Sequence, residues 1–452
     1  MKKLAVIATL GIIFTSGLFG QEEKQPAKVL TLSRAIEIAL EQNVPLKQAE
    51  NNAQAAESGV LAAYGTYLPY VSASGGWTRQ QTERAATTQL IGGQPIQLPA
   101  SSATTNNFST GISASYTIFD GFNREANFSR AVSSASSAEL TATRTRQGTV
   151  FQVQSAYLAV LRNEQLVKVS EENLKRDQRQ LERITESNRV GASAIGDVYR
   201  QQSVVAQDEL NLIGAQNTYD KSVSSLLATV GLDVSENYRI ADPTVPSDIS
   251  QADLDATSTK ISEFSTMRQK ALSLRPDYKS AAENLEAARS GVTSAVSGYI
   301  PSVSANAGYS MSNTEFSRLS DSRGLSWGLR ISWNLFDRFQ TNLNVQNASV
   351  SERNAELNLL QTERNVSVDV KNALLDLEAA RKQYEVSIKG LQSAEQDRRV
   401  AEEKYNLGSG TLLDLLTANA AYVNAQVNKV MATYNFITAN RNLDYVIGEK
   451  TY

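Results

Sequence analysis

The sequence repeats itself once at a fixed spacing, and this duplication constrains the fold more than any other feature. A glycine turn and a Phe-Asp pair recur 217 residues apart (408 − 191 = 217), as Gly191 and Gly408, Asp197 and Asp414, and the Phe-Asp pairs at 119–120 and 336–337. A repeat this long indicates a doubled domain rather than a row of short solenoid motifs. The sequence therefore predicts two similar halves, residues 21–230 and 264–448, joined by an acidic connector at 231–263.

The composition argues against several classes of protein. The 452-residue chain contains neither cysteine nor histidine, which excludes disulfides, thiolate chemistry, histidine bases and the commonest metal ligands. It has no P-loop, nucleophile elbow or paired-carboxylate motif. Its net charge is −3, and no basic stripe favours nucleic acid. We therefore expect no enzyme, no cofactor, no metal site and no nucleic-acid partner.

The N-terminus has the pattern of a secretory signal peptide over residues 1–20. Lys2 and Lys3 precede an apolar run that ends in small residues near Gly17 and Gly20. An uncleaved anchor helix is the alternative, but the run is shorter than the roughly 20 apolar residues that a spanning helix needs. We therefore expect the protein to be exported.

Each half contains a stretch with the two-residue period of β-strands, at 67–119 and at 299–336. Val303, Ala305 and Ala307, for example, alternate with serine and asparagine. Four strands of about ten residues with this alternation are typical of outer-membrane strands, whereas an ordinary sandwich would use the apolar face as a core. We expect the polar tracts at 79–107 and 312–324 to be loops. Four strands are too few to close a barrel, so two copies (eight strands) or three (twelve) must combine.

A very long helix is predicted after each pair of strands, at 123–188 and 341–406. Apolar residues recur at every seventh position, which predicts coiled-coil packing, as Val153, Val160, Val167, Leu174 and Leu181 and then Val370, Leu377, Tyr384 and Leu391. Each long helix leads into a turn, at 190–197 and at 407–414, and a shorter helix returns from it. The fold class is therefore α+β and mostly α, with an internal two-fold repeat.

Taken together, these features resemble the outer-membrane efflux protein (TolC) family over the whole mature chain. The resemblance is carried by the opening LTLSRAIEIALEQNVPLK, the helix-to-strand entries YLP and YIP, the Phe-Asp strand exits and the turns RVGASAIGD and YNLGSGTLLD. It implies a homotrimer in the outer membrane of a diderm cell, with a 12-stranded β-barrel in lipid above a periplasmic α-helical barrel. It also implies a passive exit duct for substrates that a periplasmic adaptor and an inner-membrane transporter deliver.

Two other functions fit the sequence pattern. One is a structural coiled-coil protein that spans the periplasm from an outer-membrane anchor without conducting. The other is an exported helical binding protein whose sheets pack on themselves. Conductance in a bilayer separates the duct from the structural protein, and trimers in outer-membrane fractions separate it from the binding protein.

The two turns, which we call the tips, are the candidate functional site. Their glycines are suited to ending a helix, and Thr411 with Asp414 has the spacing of a capping box. The resemblance implies adaptor contact at Gly191, Ala192, Gly408, Ser409 and Gly410, and a periplasmic gate formed by Asp197, Tyr405 and Asp414. Gly410 departs from the family, which has an arginine there; Arg189 beside the first tip is a candidate substitute, and whether it replaces that arginine stays open.

Overall fold

The structure is a computed structural model that describes residues 28–242 and 248–449. The predicted signal peptide at 1–20 lies outside the described residues, as do residues 243–247 of the predicted connector. None of the helices in the described part of the chain contains a segment long and apolar enough to cross a membrane.

Both halves contain the same succession of helices, strands and a long helical hairpin. The first half consists of β1 (Lys28–Leu30), α1 (Leu32–Gln42), α2 (Val44–Gly65), β2 (Tyr70–Arg84), β3 (Thr87–Ile91), β4 (Gln94–Leu98), β5 (Ser101–Phe119), α3 (Asn123–Arg189) and α4 (Ile195–Val230). The connector contributes β6 (Tyr238–Ile240) and α5 (Gln251–Ser262). The second half consists of α6 (Phe264–Leu274), α7 (Pro276–Val296), β7 (Ser302–Asn313), β8 (Arg323–Ser332), α8 (Gln340–Asn406) and α9 (Leu412–Ile447).

A single antiparallel sheet unites the strands of both halves in the order β2-β5-β7-β8. The central pairing of β5 with β7 sets Ser113 opposite Gly308 and thereby joins the two repeats. The strands have 15, 19, 12 and 10 residues, so that only β8 has the predicted length of about ten. Strands β2 and β8 form the edges of the described sheet.

The expectation of a loop over residues 79–107 is wrong. Strands β2 and β5 stay paired as far as Arg84 and Ser101, and β3 pairs with β4 as a second hairpin. The tract is rich in threonine, whose branched side chain favours a strand. Gly92 and Gly93 have φ of 62° and 81°, as a tight two-residue hairpin turn requires. In the second half, a 3-10 helix at Phe316–Asp321 occupies the predicted loop.

The strand-to-helix corners explain why the phenylalanine of the Phe-Asp pair recurs. The rings of Phe119 and Phe122 meet edge to face with centroids 5.6 Å apart, and Phe336 and Phe339 form the same pair in the second half. Phe122 and Phe339 both have left-handed backbones. In the second half, the Asp337 carboxylate accepts a hydrogen bond from the Thr341 amide at 2.7 Å in the first turn of α8.

Below the sheet, α3 packs against α4 and α8 packs against α9, and the two helical hairpins meet through α3 and α9. The long helices α3 and α8 have 67 residues each, or roughly 100 Å at 1.5 Å per residue. Val153 and Val160 are fully buried, as their spacing predicts, but Leu174 and Leu181 are only half-buried. A straight helix drifts by about 20° per heptad, so the buried positions gradually depart from a strict seven-residue spacing. Toward the tip they pass to polar residues, namely Asn173, Asp177 and Gln180.

The connector packs against a long helix of each half. Strand β6 pairs in parallel with β1, and α5 lies on α8. The hydroxyl of the buried Tyr157 on α3 donates a hydrogen bond to the carbonyl of Leu30 in β1 at 2.9 Å. Strands β1 and β6 have only three residues each. Their sequences are too short to show a strand pattern, so this pairing could not be predicted.

The corner before α3 is a test of how closely the two halves pack. Gly121 has φ of 67°, and a Cβ atom there would lie 2.9 Å from Cβ of Ile300 in the second half. Gly92 has a similar φ of 62° but no heavy atom within 4 Å of such a Cβ. Gly121→Ala and Gly92→Ala therefore share the left-handed strain, and only Gly121→Ala adds overpacking, which typically destabilises by about 1–3 kcal/mol.

We expect a lower thermal midpoint for Gly121→Ala than for Gly92→Ala when unfolding is followed by tryptophan fluorescence in detergent. Equal midpoints for the two variants would show that the corner and Ile300 do not pack as described.

Candidate functional site

The first tip is closed by backbone hydrogen bonds around a left-handed glycine. Helix α3 ends at Arg189, and Gly191 follows with φ of 76°. The Gly191 amide donates to the Asn188 carbonyl, and the Ala192 amide donates to the Ser187 carbonyl, both at 2.9 Å. The Asn188 side-chain amide donates to the Ser193 carbonyl at 2.7 Å. The turn therefore satisfies the last carbonyls of the helix, as glycine termination predicts.

The second tip uses the same device and adds a side-chain cap. Gly408 has φ of 73°, and the amides of Ser409 and Gly410 both donate to the Lys404 carbonyl, at 2.9 and 3.0 Å. The capping box predicted at the start of α9 is present. The Asp414 amide donates to the Thr411 hydroxyl at 3.1 Å, and the Thr411 amide donates back to the Asp414 carboxylate at 3.1 Å.

An apolar contact holds the two tips side by side. Ile184 of α3, Val198 of α4 and Leu412 of α9 are buried against one another, with Tyr405 partly buried beside them. A groove of about 650 Å³ runs between the tips and is lined by both. The two turns of one chain thus form a single surface at the end of the helices.

Two of the predicted gate residues share this groove. Asp197 and Tyr405 both line it. Burial, followed by the negative charge of Asp197, raises the pKa of the Tyr405 hydroxyl, while Arg183 acts in the opposite direction. The third residue, Asp414, is exposed in the capping box, where the Thr411 hydroxyl holds the pKa of its carboxyl below the usual range. In a single chain, Asp414 therefore acts as a helix cap.

Within a single chain, Arg189 does not pair with Asp197. Arg189 forms an ion pair with Glu186 of its own helix, with Nε 2.8 Å from Oε2. Asp197 is paired instead with Arg200, with Nη1 3.1 Å from Oδ1. Sequence reasoning missed Arg200, although the three-residue spacing from Asp197 places both on one face of a helix.

The turn also explains what a side chain at position 410 would meet. A Cβ atom on Gly410 would lie 3.0 Å from Cβ of Lys404 and 3.3 Å from the carbonyl carbon of that residue. A side chain at 410 therefore requires Lys404 to shift by a few tenths of an ångström, while the backbone bond from the residue 410 amide to the Lys404 carbonyl is open to any residue except proline. No group of three or more acidic side chains suited to a metal ion occurs within residues 28–242 and 248–449.

Comparison with known proteins agrees with this architecture. The family model "Outer membrane efflux protein" matches residues 35–232 and 267–449, one segment in each half. The chain belongs to the outer membrane efflux protein family. The resemblance inferred from the sequence is therefore confirmed, as are the mostly helical α+β fold class and the outer-membrane location. Members of this family are channel and transport proteins of efflux systems.

Individual relatives are similar along much of the chain. The toluene efflux pump outer membrane protein TtgC of Pseudomonas putida is 25% identical over 435 residues, which cover 93% of this chain and 83% of TtgC. The outer membrane protein TolC of Vibrio cholerae is 24% identical over 320 residues, 67% of this chain and 68% of TolC. The crystal structure of the Campylobacter jejuni CmeC outer membrane channel superposes with a TM-score of 0.76 at 17% identity and covers 98% of this chain and 95% of CmeC.

Proposed function

We propose that three copies of this protein form a channel-tunnel that gives substrates passive exit across the periplasm and the outer membrane. A periplasmic adaptor and an inner-membrane transporter deliver those substrates and supply the energy, so the chain itself has no enzymatic step. The observation that carries the proposal is the four-stranded sheet, which has two unpaired edges among the described strands and an apolar exposed face.

The apolar face of the sheet suits contact with lipid. On β8, large apolar residues alternate with small or polar ones and are highly exposed in the single chain, as Leu325, Trp327, Leu329 and Ile331. Trp327 exposes 83% of its surface. An outward apolar face with a polar opposite face is the pattern of strands that line a membrane channel.

The edges of the sheet supply the reason to form a trimer. Among the described strands, β2 pairs only with β5, and β8 pairs only with β7. In lipid, each unpaired backbone group at such an edge costs several kcal/mol. Pairing β8 of one copy with β2 of the next removes all edges, and three copies give twelve strands (3 × 4 = 12).

The long helices extend this channel into the periplasm. Each chain provides two helical hairpins, so three chains provide six (3 × 2 = 6) around one axis. Buried apolar clusters fasten each hairpin internally. The same helices would also suit a structural protein that does not conduct. The similarity to proteins named as efflux pump components favours a duct.

The tips are the surface that we assign to the adaptor. The side chains at their ends are apolar and exposed, as Val190 and Ile195 in the first tip and Leu407 and Leu413 in the second. Leu407 exposes 83% of its surface. Exposed apolar side chains beside the flat backbone of Gly191, Ala192, Gly408, Ser409 and Gly410 are suited to another protein.

Disulfide trapping tests the pairing of the sheet edges. The chain has no cysteine, so an introduced pair is free of competing thiols. We expect Ser74→Cys in β2, combined in turn with Ser326→Cys, Gly328→Cys and Arg330→Cys in β8, to give covalent trimers for the pair in register. Bonding requires Cα atoms about 4.4–6.8 Å apart.

Strand β5 provides the matched control for this experiment. Ser113→Cys replaces Ser74→Cys, and β5 is flanked on both sides by strands of its own chain. Two results would contradict the closed trimer. One is that no combination with Ser74→Cys gives covalent trimers, and the other is that Ser113→Cys gives them in equal amount.

Planar-bilayer recordings test the duct and its gate together. The charges of Asp197 and Asp414 from three chains would make six carboxylates (3 × 2 = 6) near the opening, and acidic rings favour cations. We expect Asp197→Ala with Asp414→Ala to change conductance and to shift the reversal potential away from cation preference. Arg200→Ala should shift it the other way, because it frees Asp197 from its ion pair.

A wild-type protein that inserts as trimers without conducting would support the structural role instead. Unaltered single-channel behaviour in the double variant would contradict the gate assignment and leave the duct in place.

Crosslinking to the adaptor tests the tips. We expect Leu407→Asp to reduce the crosslinking yield several-fold, because a carboxylate at a mostly exposed apolar contact must be desolvated. Trimer yield should not change. Val386→Asp, on the same chain and also exposed, is the control, and an equal loss of crosslinking there would argue against contact at the tip.

A further inference from the structure

The first helical hairpin buries two carboxyl groups close to its tip. Asp177 on α3 and Asp208 on α4 expose only 2% and 6% of their surfaces. Asp177 lies twelve residues before the end of α3 (189 − 177 = 12), roughly 18 Å along the helix. Neutral amides surround the pair: Asn173 Nδ2 donates to Asp208 Oδ1 at 2.7 Å, and Gln201 Nε2 donates to the Asp177 carbonyl at 3.1 Å.

Each of the two carboxyl groups has a buried oxygen without a donor in the described part of the chain, Oδ1 of Asp177 and Oδ2 of Asp208. A buried acceptor without a donor typically costs about 1–3 kcal/mol. The two groups are near enough to hydrogen-bond to each other when one is protonated. A shared proton would therefore supply the missing donor.

The charged and titratable groups around the pair come from four helices. Arg176 on α3 lies 3.2 Å from Asp177 Oδ2 and also donates to Asn173. Arg398 on α8 and Tyr422 on α9 face Arg176 from the other side, with the Arg398 guanidinium 4.7 Å from the Tyr422 ring centre and 3.6 Å from Glu402.

Two carboxylates and one contacting guanidinium leave a net charge of −1 (−2 + 1 = −1), which one proton neutralises. Burial and the neighbouring Asp177 carboxyl raise the pKa of Asp208 to about 7, against the opposing effects of Arg176 and Asn173. A divalent cation fits less well, because Arg176 already occupies one side of Asp177.

We propose that Asp177 and Asp208 form a proton-binding site that holds α3 to α4, and that losing the proton toward neutral and alkaline pH loosens the hairpin beside the first tip. In the folded protein the pKa of Asp208 lies above its ordinary value of 3.8. The stabilisation of the hairpin by the bound proton is therefore complete below about pH 4 and is lost as the pH rises to about 7. The further link from this loosening to channel opening rests on the proposed function.

Hydrogen exchange of the intact trimer in detergent tests the site without any transport. The amides to follow are those of residues 173–180 and 201–208, with their exchange rates corrected for the intrinsic effect of pH. With the pKa of Asp208 at about 7 in the folded protein, we expect the equilibrium constant for local opening to rise about fifty-fold between pH 5 and pH 7. Asp208→Asn, which cannot ionise, should abolish this rise. Asp220→Asn removes an exposed carboxyl from the same helix and should retain it.

Wild-type exchange without this pH dependence, or the same dependence in Asp208→Asn, would overturn the proposal. So would protection that responds to Mg²⁺ or Ca²⁺ at constant pH, because a metal ion would then occupy the site. Infrared titration of the wild type decides the matter if Asp208→Asn does not fold: a protonated carboxylic-acid band should be present at pH 5 and lost by pH 8, and its absence at pH 5 counts against the site.

Bilayer recordings at pH 5 and pH 8 then separate the site from the duct. A greater open probability at pH 8 in wild type, but not in Asp208→Asn, is expected. A conducting channel without this difference overturns the link to opening, and a trimer that never conducts overturns the proposed function while exchange still reports on the proton.

Discussion

The backbone hydrogen bonds of a four-stranded sheet decide how the rest of this molecule is arranged. Strands from both halves pair at the centre, β5 with β7, so that neither repeat completes its sheet alone. The outer strands of this sheet then have donors and acceptors without partners among residues 28–242 and 248–449. Unpaired backbone groups are costly wherever water is absent. Both the fusion of two repeats and the proposed assembly of three chains provide partners for such groups.

The sequence was most informative where a physical constraint acts over a long distance. The fold class and the uninterrupted helices follow from the duplication and from long stretches without proline, and the family follows from the resemblance of the repeated motifs. Local features that depend on tertiary contact were harder to predict. Residues 79–107 were expected to be a loop because they are polar, but a hairpin exposed on both faces has no apolar alternation to reveal it. The ion pair of Arg200 with Asp197 was not predicted, although the three-residue spacing between them places both on one face of a helix.

Polar residues inside the helical hairpin have a different role from those at its surface. Surface pairs such as Arg189 with Glu186 lie in water, where an ion pair typically contributes less than about 1 kcal/mol. Asp177 and Asp208 lie between helices, where each atom must be satisfied by a specific partner. Heptad reasoning assigns such positions to apolar residues, so it did not identify this cluster. The same helix is therefore fastened by valine near its middle and by a proton-sensitive polar cluster near its end.

The two corners that lead into the long helices show how duplicated segments diverge. Both keep an edge-to-face phenylalanine pair and a left-handed backbone. The first passes through Gly121, which touches Ile300 of the other half, whereas the second adopts the same conformation at Arg338 without any glycine. The two copies of one corner therefore differ where the halves meet: the first leaves no room for a side chain, whereas the second carries an arginine in the same backbone conformation.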